Sequence, residues 1–144
     1  MVMKRDKNCG FSLIELIIVV AIMAVLVALI APNLTKYLNK SKRSTDLHNA
    51  GELAEMIQTC ITDYEAAQGE FIAAGGSAIN LSWTGKNVSG GPASFNTMLD
   101  GMVTRDPISE ETGAIATANI SLKGATSNSG YKIVVTIGNA SVIK

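Results

Sequence analysis

Between Leu16 and Ala31 the chain carries no charged or strongly polar side chain, and only Ser12 and Glu15 interrupt the apolar run that begins at Phe11. Taken as one helix, Phe11 to Leu34 is 24 residues, roughly 36 Å at about 1.5 Å per residue. That is long enough to cross a hydrocarbon core of about 30 Å with some tilt. Pro32 falls late in this run; its ring lacks an N–H and meets the carbonyl of Ala28, which predicts a kink or local loosening there. Beyond it, Leu34 to Leu38 reads as helix again. From Leu47 the apolar positions Leu47, Ala50, Leu53, Ala54, Ile57, Cys60, Ile61 and Tyr64 recur at three- and four-residue steps, the pattern of an amphipathic helix with one buried face. Gly69 predicts its end.

The pattern then changes period. Residues 73–77 read as loop, Ile79 to Thr84 as a short strand, and Gly85 to Pro92 as a turn-rich stretch. Ser94 to Met102 predicts a short helix with Ser94 as its cap, broken by Arg105-Asp106-Pro107. Ala114 to Lys123, Tyr131 to Ile137 and Ala140 to Ile143 alternate or are strongly β-forming, with Gly124 to Gly130 as a hairpin loop. The economical architecture is α+β: one long N-terminal helix, membrane-spanning in its first half and amphipathic in its second, packed on a small antiparallel sheet. The segments are 1–10, a polar leader; 11–34, the apolar helix; 35–68, its amphipathic continuation; and 69–144, a β-rich globular region.

The chain has 144 residues, enough for one domain, with 12 basic and 12 acidic side chains. There is no basic excess of the kind that binds nucleic acid, and that partner is excluded. The charges are segregated. Lys36, Lys40, Lys42 and Arg43 form a basic cluster with no acid until Asp46, and Glu52, Glu55, Asp63, Glu65 and Glu70 follow as an acidic stretch. The basic side chains read as solvated or close to lipid headgroups; contact with the acidic stretch of a neighbouring copy is the sharper alternative. Lys4, Arg5, Asp6 and Lys7 give the leader a net +2 against +4 on the distal flank, so charge bias alone does not place the N-terminus in the cytoplasm.

An ordinary signal peptide would end in small residues, but Leu29 precedes Ala31-Pro32, a poor cleavage site. A lipoprotein signal would need an apolar run before Cys9, where Asp6, Lys7 and Asn8 stand. A signal anchor that loses a short polar leader fits better. Cutting after Gly10 would leave 134 residues with a net charge of −2, and Cys60 as the one cysteine. No disulfide within the mature chain is then possible, and the place of Cys60 on the apolar stripe reads as a buried thiol.

The stretch Gly10-Phe11-Ser12-Leu13-Ile14-Glu15-Leu16, preceded by Lys4, Arg5 and Lys7 and followed by an unbroken apolar run, resembles the class III signal of type IV prepilins and pseudopilins. The resemblance covers roughly the first 35 to 65 residues. It implies that a prepilin peptidase cuts between Gly10 and Phe11, where glycine leaves the peptide bond open to close approach, and methylates the new amino group of Phe11. It implies further that Glu15 meets the N-terminal amine of a neighbouring subunit, so that both charges are neutralised as helices leave the lipid. A carboxylate near the start of a helix is favoured by the helix dipole, which explains its tolerance but not its choice. An acid at the bilayer centre costs about 2.5–3.5 kcal/mol on insertion scales, and a buried charge becomes acceptable when paired. Pro32 corresponds to a position near which such filaments often show a melted helix segment.

Catalytic chemistry is absent from the pattern. His48, the single histidine, has no partner histidine or cysteine nearby, and neither a Gly-x-Ser-x-Gly elbow nor a phosphate-binding loop occurs. Asp100, Asp106, Glu110 and Glu111 offer oxygen ligands of the kind some pseudopilins use for calcium, but their spacing matches no EF-hand, and they read as solvated acids. Trp83 and Phe95 read as core or edge residues. The expectation is a structural type IV pilus subunit, not an enzyme and without a cofactor. The resemblance implies as partners other pilin subunits, the prepilin peptidase, the membrane before assembly and, indirectly, an inner-membrane assembly platform and its ATPase. The implied location is the cytoplasmic membrane, then a surface filament serving adhesion, motility or biofilm formation. The alternatives are a pseudopilin of a type II secretion or DNA-uptake system, and a membrane-anchored binding module that never polymerises.

Overall fold

The computed structural model describes residues 11–73, 76–123 and 130–144. The leader with Gly10 and Cys9, residues 74–75 of the loop at 73–77, and residues 124–129 of the expected hairpin loop lie outside the described residues. The chain divides into two compact units, 1–38 and 39–144. Helix α1 runs Leu13–Gln68 and contributes to both.

In the first unit α1 carries no buried side chain. By length and composition it can cross a membrane. In the second unit α1 buries one face, comprising Asp46, Ala50, Leu53, Ala54, Ile57, Cys60 and Ile61. The expected stripe is therefore correct from Ala50 onward but not at its start: Leu47 is 41% exposed and Asp46, one position earlier, is fully buried. A dedicated set of hydrogen-bond donors makes that exchange possible, as described below. The helix ends at Gln68, and Gly69 donates its N–H to the Glu65 carbonyl at 3.1 Å.

The sheet is a five-stranded antiparallel one in the order β2-β1-β3-β4-β5, built from β1 (Ile79–Thr84), β2 (Asn87–Ser89), β3 (Thr117–Leu122), β4 (Tyr131–Ile137) and β5 (Ala140–Ile143). β4 and β5 fall where their alternation predicts. β2 lies inside the stretch read as turn-rich: Thr84 pairs with Asn87 across Gly85 (φ +62°) and Lys86, a two-residue hairpin whose first position glycine fills without strain. β3 begins at Thr117, later than the expected Ala114, because the preceding segment forms its own bridge between Ile108 and Ile115.

Helix α2 spans Ala93–Met102. Ser94 does not cap it. Pro92 occupies that place without a side-chain bond, and the Ser94 hydroxyl instead donates to Gln68 Oε1 at 3.2 Å. Proline suits the position because its fixed φ sets the entry to the helix and the N–H it lacks has no partner there. Inward-facing side chains of α1, α2 and the sheet close one core around Trp83, Phe95, Leu99, Ile57, Ile120, Ile133 and Ile137.

Candidate functional site

The first turn of α1 is closed by a contact between Glu15 and Ser12. Phe11 and Ser12 are not helical, Leu13 is the first helical residue, and the Ser12 carbonyl accepts from the Leu16 N–H at 3.3 Å. With Ser12 as N-cap, Glu15 stands three positions on, and its Oε2 accepts the Ser12 N–H at 2.9 Å. This is the glutamate half of a capping box, and the S-x-x-E spacing that encodes it is visible in Ser12-Leu13-Ile14-Glu15. Within the single chain, then, Glu15 is a cap that fixes where the helix starts. Phe11 lies just outside that start. Downstream, Leu16 to Leu34 are all exposed. α1 continues through Pro32, and the Thr35 hydroxyl donates to the Ala31 carbonyl at 3.0 Å, one turn back and next to the proline.

In the second unit the buried carboxylate of Asp46 gathers one segment onto the helix. Its Oδ2 accepts from the Ser109 hydroxyl at 2.6 Å and the Glu111 N–H at 3.3 Å, and its Oδ1 accepts from the Glu110 N–H at 2.7 Å. Burial opposes ionisation here, but the Ser109, Glu110 and Glu111 donors, with Lys42 nearby, outweigh it and hold the carboxyl below the usual aspartate range. Ser109 Oγ in turn accepts from the Thr112 N–H at 2.9 Å, closing the turn. The same turn presses on the β4–β5 hairpin: a Cβ on Gly138, whose φ is +56°, would sit 2.6 Å from Thr112 Oγ1 and 2.8 Å from Ser109 Cβ. Nothing in the sequence marked Asp46, a single acid beside a basic cluster, as the anchor of a segment about sixty residues away.

A second tie joins the end of α1 to the sheet. Tyr131 donates its hydroxyl proton to Glu65 Oε1, which also accepts the Phe71 N–H at 3.2 Å, while the Tyr131 oxygen accepts the Ile72 N–H at 3.4 Å. Burial, with the Glu65 contact, pushes the Tyr131 phenol up. Cys60 is fully buried, as its stripe position predicts. Burial, helped by Asp63, pushes its thiol up to about 11.

Of the four acids considered for calcium, three have separate partners. Asp100 Oδ1 accepts the Val88 N–H at 2.6 Å, Glu110 stands 3.7 Å from Arg105, and Glu111 accepts from Asn139 at 3.5 Å. Among the described residues no three metal-ligating side chains group together. His48 pairs on the surface with Glu52 at 3.3 Å and borders an open groove of about 400 Å³ with Met56, Thr104 and Arg105. Trp83 and Phe95 both lie in the core.

A family model described as the prokaryotic N-terminal methylation motif matches residues 5–31. Over 95 residues, 64% of its length, the chain is 37% identical to a type IV major fimbrial protein FimA of Dichelobacter nodosus and covers 54% of that protein. It is 33% identical over 119 residues to a probable minor fimbrial protein of the same organism, covering 78% of this chain and 72% of that one. A prepilin peptidase-dependent protein A of Clostridium perfringens is 35% identical over 60 residues, 42% of this chain and 43% of that protein. The chain thus spans about half the length of the major fimbrial protein it matches. No solved structure matches it.

Proposed function

Because this chain belongs to the type IV pilin (fimbrial) family, we propose that it is a structural filament subunit, cut after Gly10, methylated on Phe11 and polymerised through α1. The observation that carries this reading is the helix itself. From Leu16 to Leu34 it is long enough to span a bilayer, uncharged and without a buried side chain. An apolar surface of this extent requires lipid or other helices around it. The subunit therefore resides in the cytoplasmic membrane first and exchanges lipid contacts for contacts with α1 of other subunits in a surface filament.

Glu15 is the polar element of that exchange. In the single chain its carboxylate is held by the Ser12 N–H. After removal of the leader, the Phe11 amine of a neighbour supplies a full positive charge, a stronger partner in a medium without water. Its work is assembly. The prepilin peptidase processes the chain, and the inner-membrane platform and its ATPase supply the mechanical work of extraction. Pro32, with no N–H of its own to give the Ala28 carbonyl, is where α1 yields most easily as helices repack.

The test is to shear native cells and determine the N-terminus of the released protein by mass spectrometry. An abundant chain beginning at methylated Phe11 supports the filament subunit. The processed protein retained in the membrane fraction would point to a pseudopilin. A chain still carrying residues 1–10 would point to an anchored module that never polymerises.

A further inference from the structure

We infer that the outward face of the sheet binds a neutral polysaccharide, which lies across the strands in a shallow depression between Asn80 and Thr136. The proposal adds a partner to the filament reading above and rests on it for the number of copies that a filament presents. Strand register carries it. Pairing sets Ser89 beside Ser82, Ser82 beside Thr117, Thr117 beside Thr136 and Thr136 beside Ser141. All five alternate with core-facing neighbours, so one hydroxyl from every strand stands in a single row on the side away from the core. Neighbouring strands are about 4.8 Å apart, which makes the row about 19 Å long. The adjacent row runs from Asn80 to Asn119 to Val134. These two rows line a depression of about 310 Å³.

Lys132 is the one charged residue among the outward positions of the five strands, and no aromatic ring stands there. A soluble surface ordinarily carries charge on about a quarter to a third of its residues. Its near absence here selects a neutral partner, because a charged polymer would find almost nothing to pair with. The amide pair shows what that partner must offer. Asn119 Nδ2 donates to Asn80 Oδ1 at 2.7 Å, which orients both side chains and leaves Asn80 Nδ2 as a donor and Asn119 Oδ1 as an acceptor. Two adjacent hydroxyls of a sugar ring match that pair, one accepting and one donating. The hydroxyl contacts Ser82–Ser89 at 3.1 Å and Thr136–Ser141 at 3.4 Å use only part of the capacity of groups that donate once and accept twice. Thr117, midway between them, is exposed and has no side-chain hydrogen bond among the described residues. Val134 supplies an apolar contact for the C–H face of a ring. A face this open encloses no single sugar, so one subunit holds it weakly. A polymer that meets the same row on successive filament subunits is held by their sum.

The experiment passes sheared filaments over beads of cellulose, chitin and mannan, all neutral, and over alginate beads as the anionic comparison. The expected result is retention on at least one neutral matrix, unchanged as salt rises from about 0.05 to 0.5 M and released by soluble oligosaccharides of the same polymer. Thr117→Val/Thr136→Val keeps the β-branched shape, removes two hydroxyls and should lower retention by at least about tenfold at unaltered filament yield. Lys132→Gln, outside the depression, should leave retention unchanged. If the double variant yields too few filaments, Ser82→Ala and Asn119→Ala are measured singly, and each should lower retention severalfold. No retention on any neutral matrix, retention on alginate alone, or full retention of the hydroxyl-deleted variants overturns the inference and leaves the filament reading in place. So does sugar-independent clumping of filaments that the double variant abolishes, since the occupant is then a second copy of the same face. Absence of filaments from the unaltered chain overturns the filament reading alone. The detergent-solubilised protein, coated densely on beads, then meets the same soluble polysaccharides, and failure to capture any of them overturns the inference as well.

Discussion

Replacing Asp46 by alanine removes the acceptor for three donors at a site with no solvent exposure. Two of those bonds are short, from Ser109 Oγ at 2.6 Å and Glu110 N at 2.7 Å; the third, from Glu111 N, is longer at 3.3 Å. A hydrogen bond to a charged acceptor contributes about 1.5–3 kcal/mol, and a buried donor left unpaired costs about 1–3 kcal/mol. Some of the loss is recoverable, because water can enter the space of the lost carboxylate. The expected destabilisation is about 3–4 kcal/mol. Asp46→Asn keeps the volume and one carbonyl oxygen but turns an amide N–H toward a donor, and should cost about 2 kcal/mol. Glu52→Ala, whose carboxylate pairs on the surface with His48, is the control and should stay within about 0.5 kcal/mol.

Trp83, the single tryptophan and fully within the core, reports the transition. Urea titration of the detergent-solubilised chain, followed by its fluorescence, gives the stability of each variant from the midpoint at unchanged slope. The acid limb supplies an independent check. The Asp46 carboxyl is held below its ordinary value in the folded chain, so the folded state binds fewer protons than the unfolded one. Its contribution is complete above the unfolded value of about 3.9 and is lost as pH falls through the lower folded value. Wild type should therefore lose its advantage over Asp46→Asn below about pH 4. A Asp46→Ala variant within about 1 kcal/mol of wild type, or an advantage that persists undiminished in acid, would refute the anchoring role.

Further outcomes follow from the contacts around the same core. Gly138→Ala should destabilise by about 2–4 kcal/mol in the same titration, because its φ of +56° disfavours a side chain and the new Cβ meets Thr112 and Ser109. Tyr131→Phe should cost about 1–2 kcal/mol. It should also flatten the alkaline limb: the raised phenol stabilises the fold below the ordinary value of about 10, an advantage lost as pH rises through the folded one. Cys60, pushed up to about 11, should react with a maleimide about a hundredfold more slowly than an ordinary thiol at pH 7.5 and at the ordinary rate in urea. Glu15→Gln should keep the helix start, since glutamine also completes a capping box, yet abolish filament yield in the shearing assay.

What could be read from the sequence is what depends on neighbours along the chain. The apolar run, the stripe from Ala50 to Ile61, the stop at Gly69 and the strands at Tyr131–Ile137 and Ala140–Ile143 are local periodicities, and the fold keeps them. The failures are tertiary. Leu47 has the right spacing for the buried face but lies at its edge, while Asp46 is drawn in by donors from the turn at residues 109–111. Ser94 looks like a cap but belongs to Gln68, and β2 hides in a turn-rich stretch because three residues are enough to pair when a two-residue hairpin presents them. The S-x-x-E signature around Glu15 was present in the sequence and local. The same carboxylate also reads as an acid in a membrane segment, which masks its local role as a cap.

Those two readings of Glu15 are compatible, and their compatibility has a physical consequence. A carboxylate carried bare into hydrocarbon would cost more than the same group with part of its charge already met, so on the proposed membrane-resident reading the Ser12 N–H would lower the cost of holding the monomer there. A neutral N–H supplies less than a full cation, however, and a difference in partner strength therefore remains between the isolated subunit and a packed one. In the proposed filament, that difference would drive helices together only while it exceeds the loss of the Glu15–Ser12 bond, about 1.5–3 kcal/mol for a hydrogen bond to a charged group. A weak internal partner thus serves assembly better than none or a strong one: without it the monomer would be poorly held in lipid, and with an internal cation it would have nothing to gain from a neighbour. On the proposed reading, an N-terminal amine would become available at that depth only once residues 1–10 are removed, so the proposed cut would also create the stronger partner.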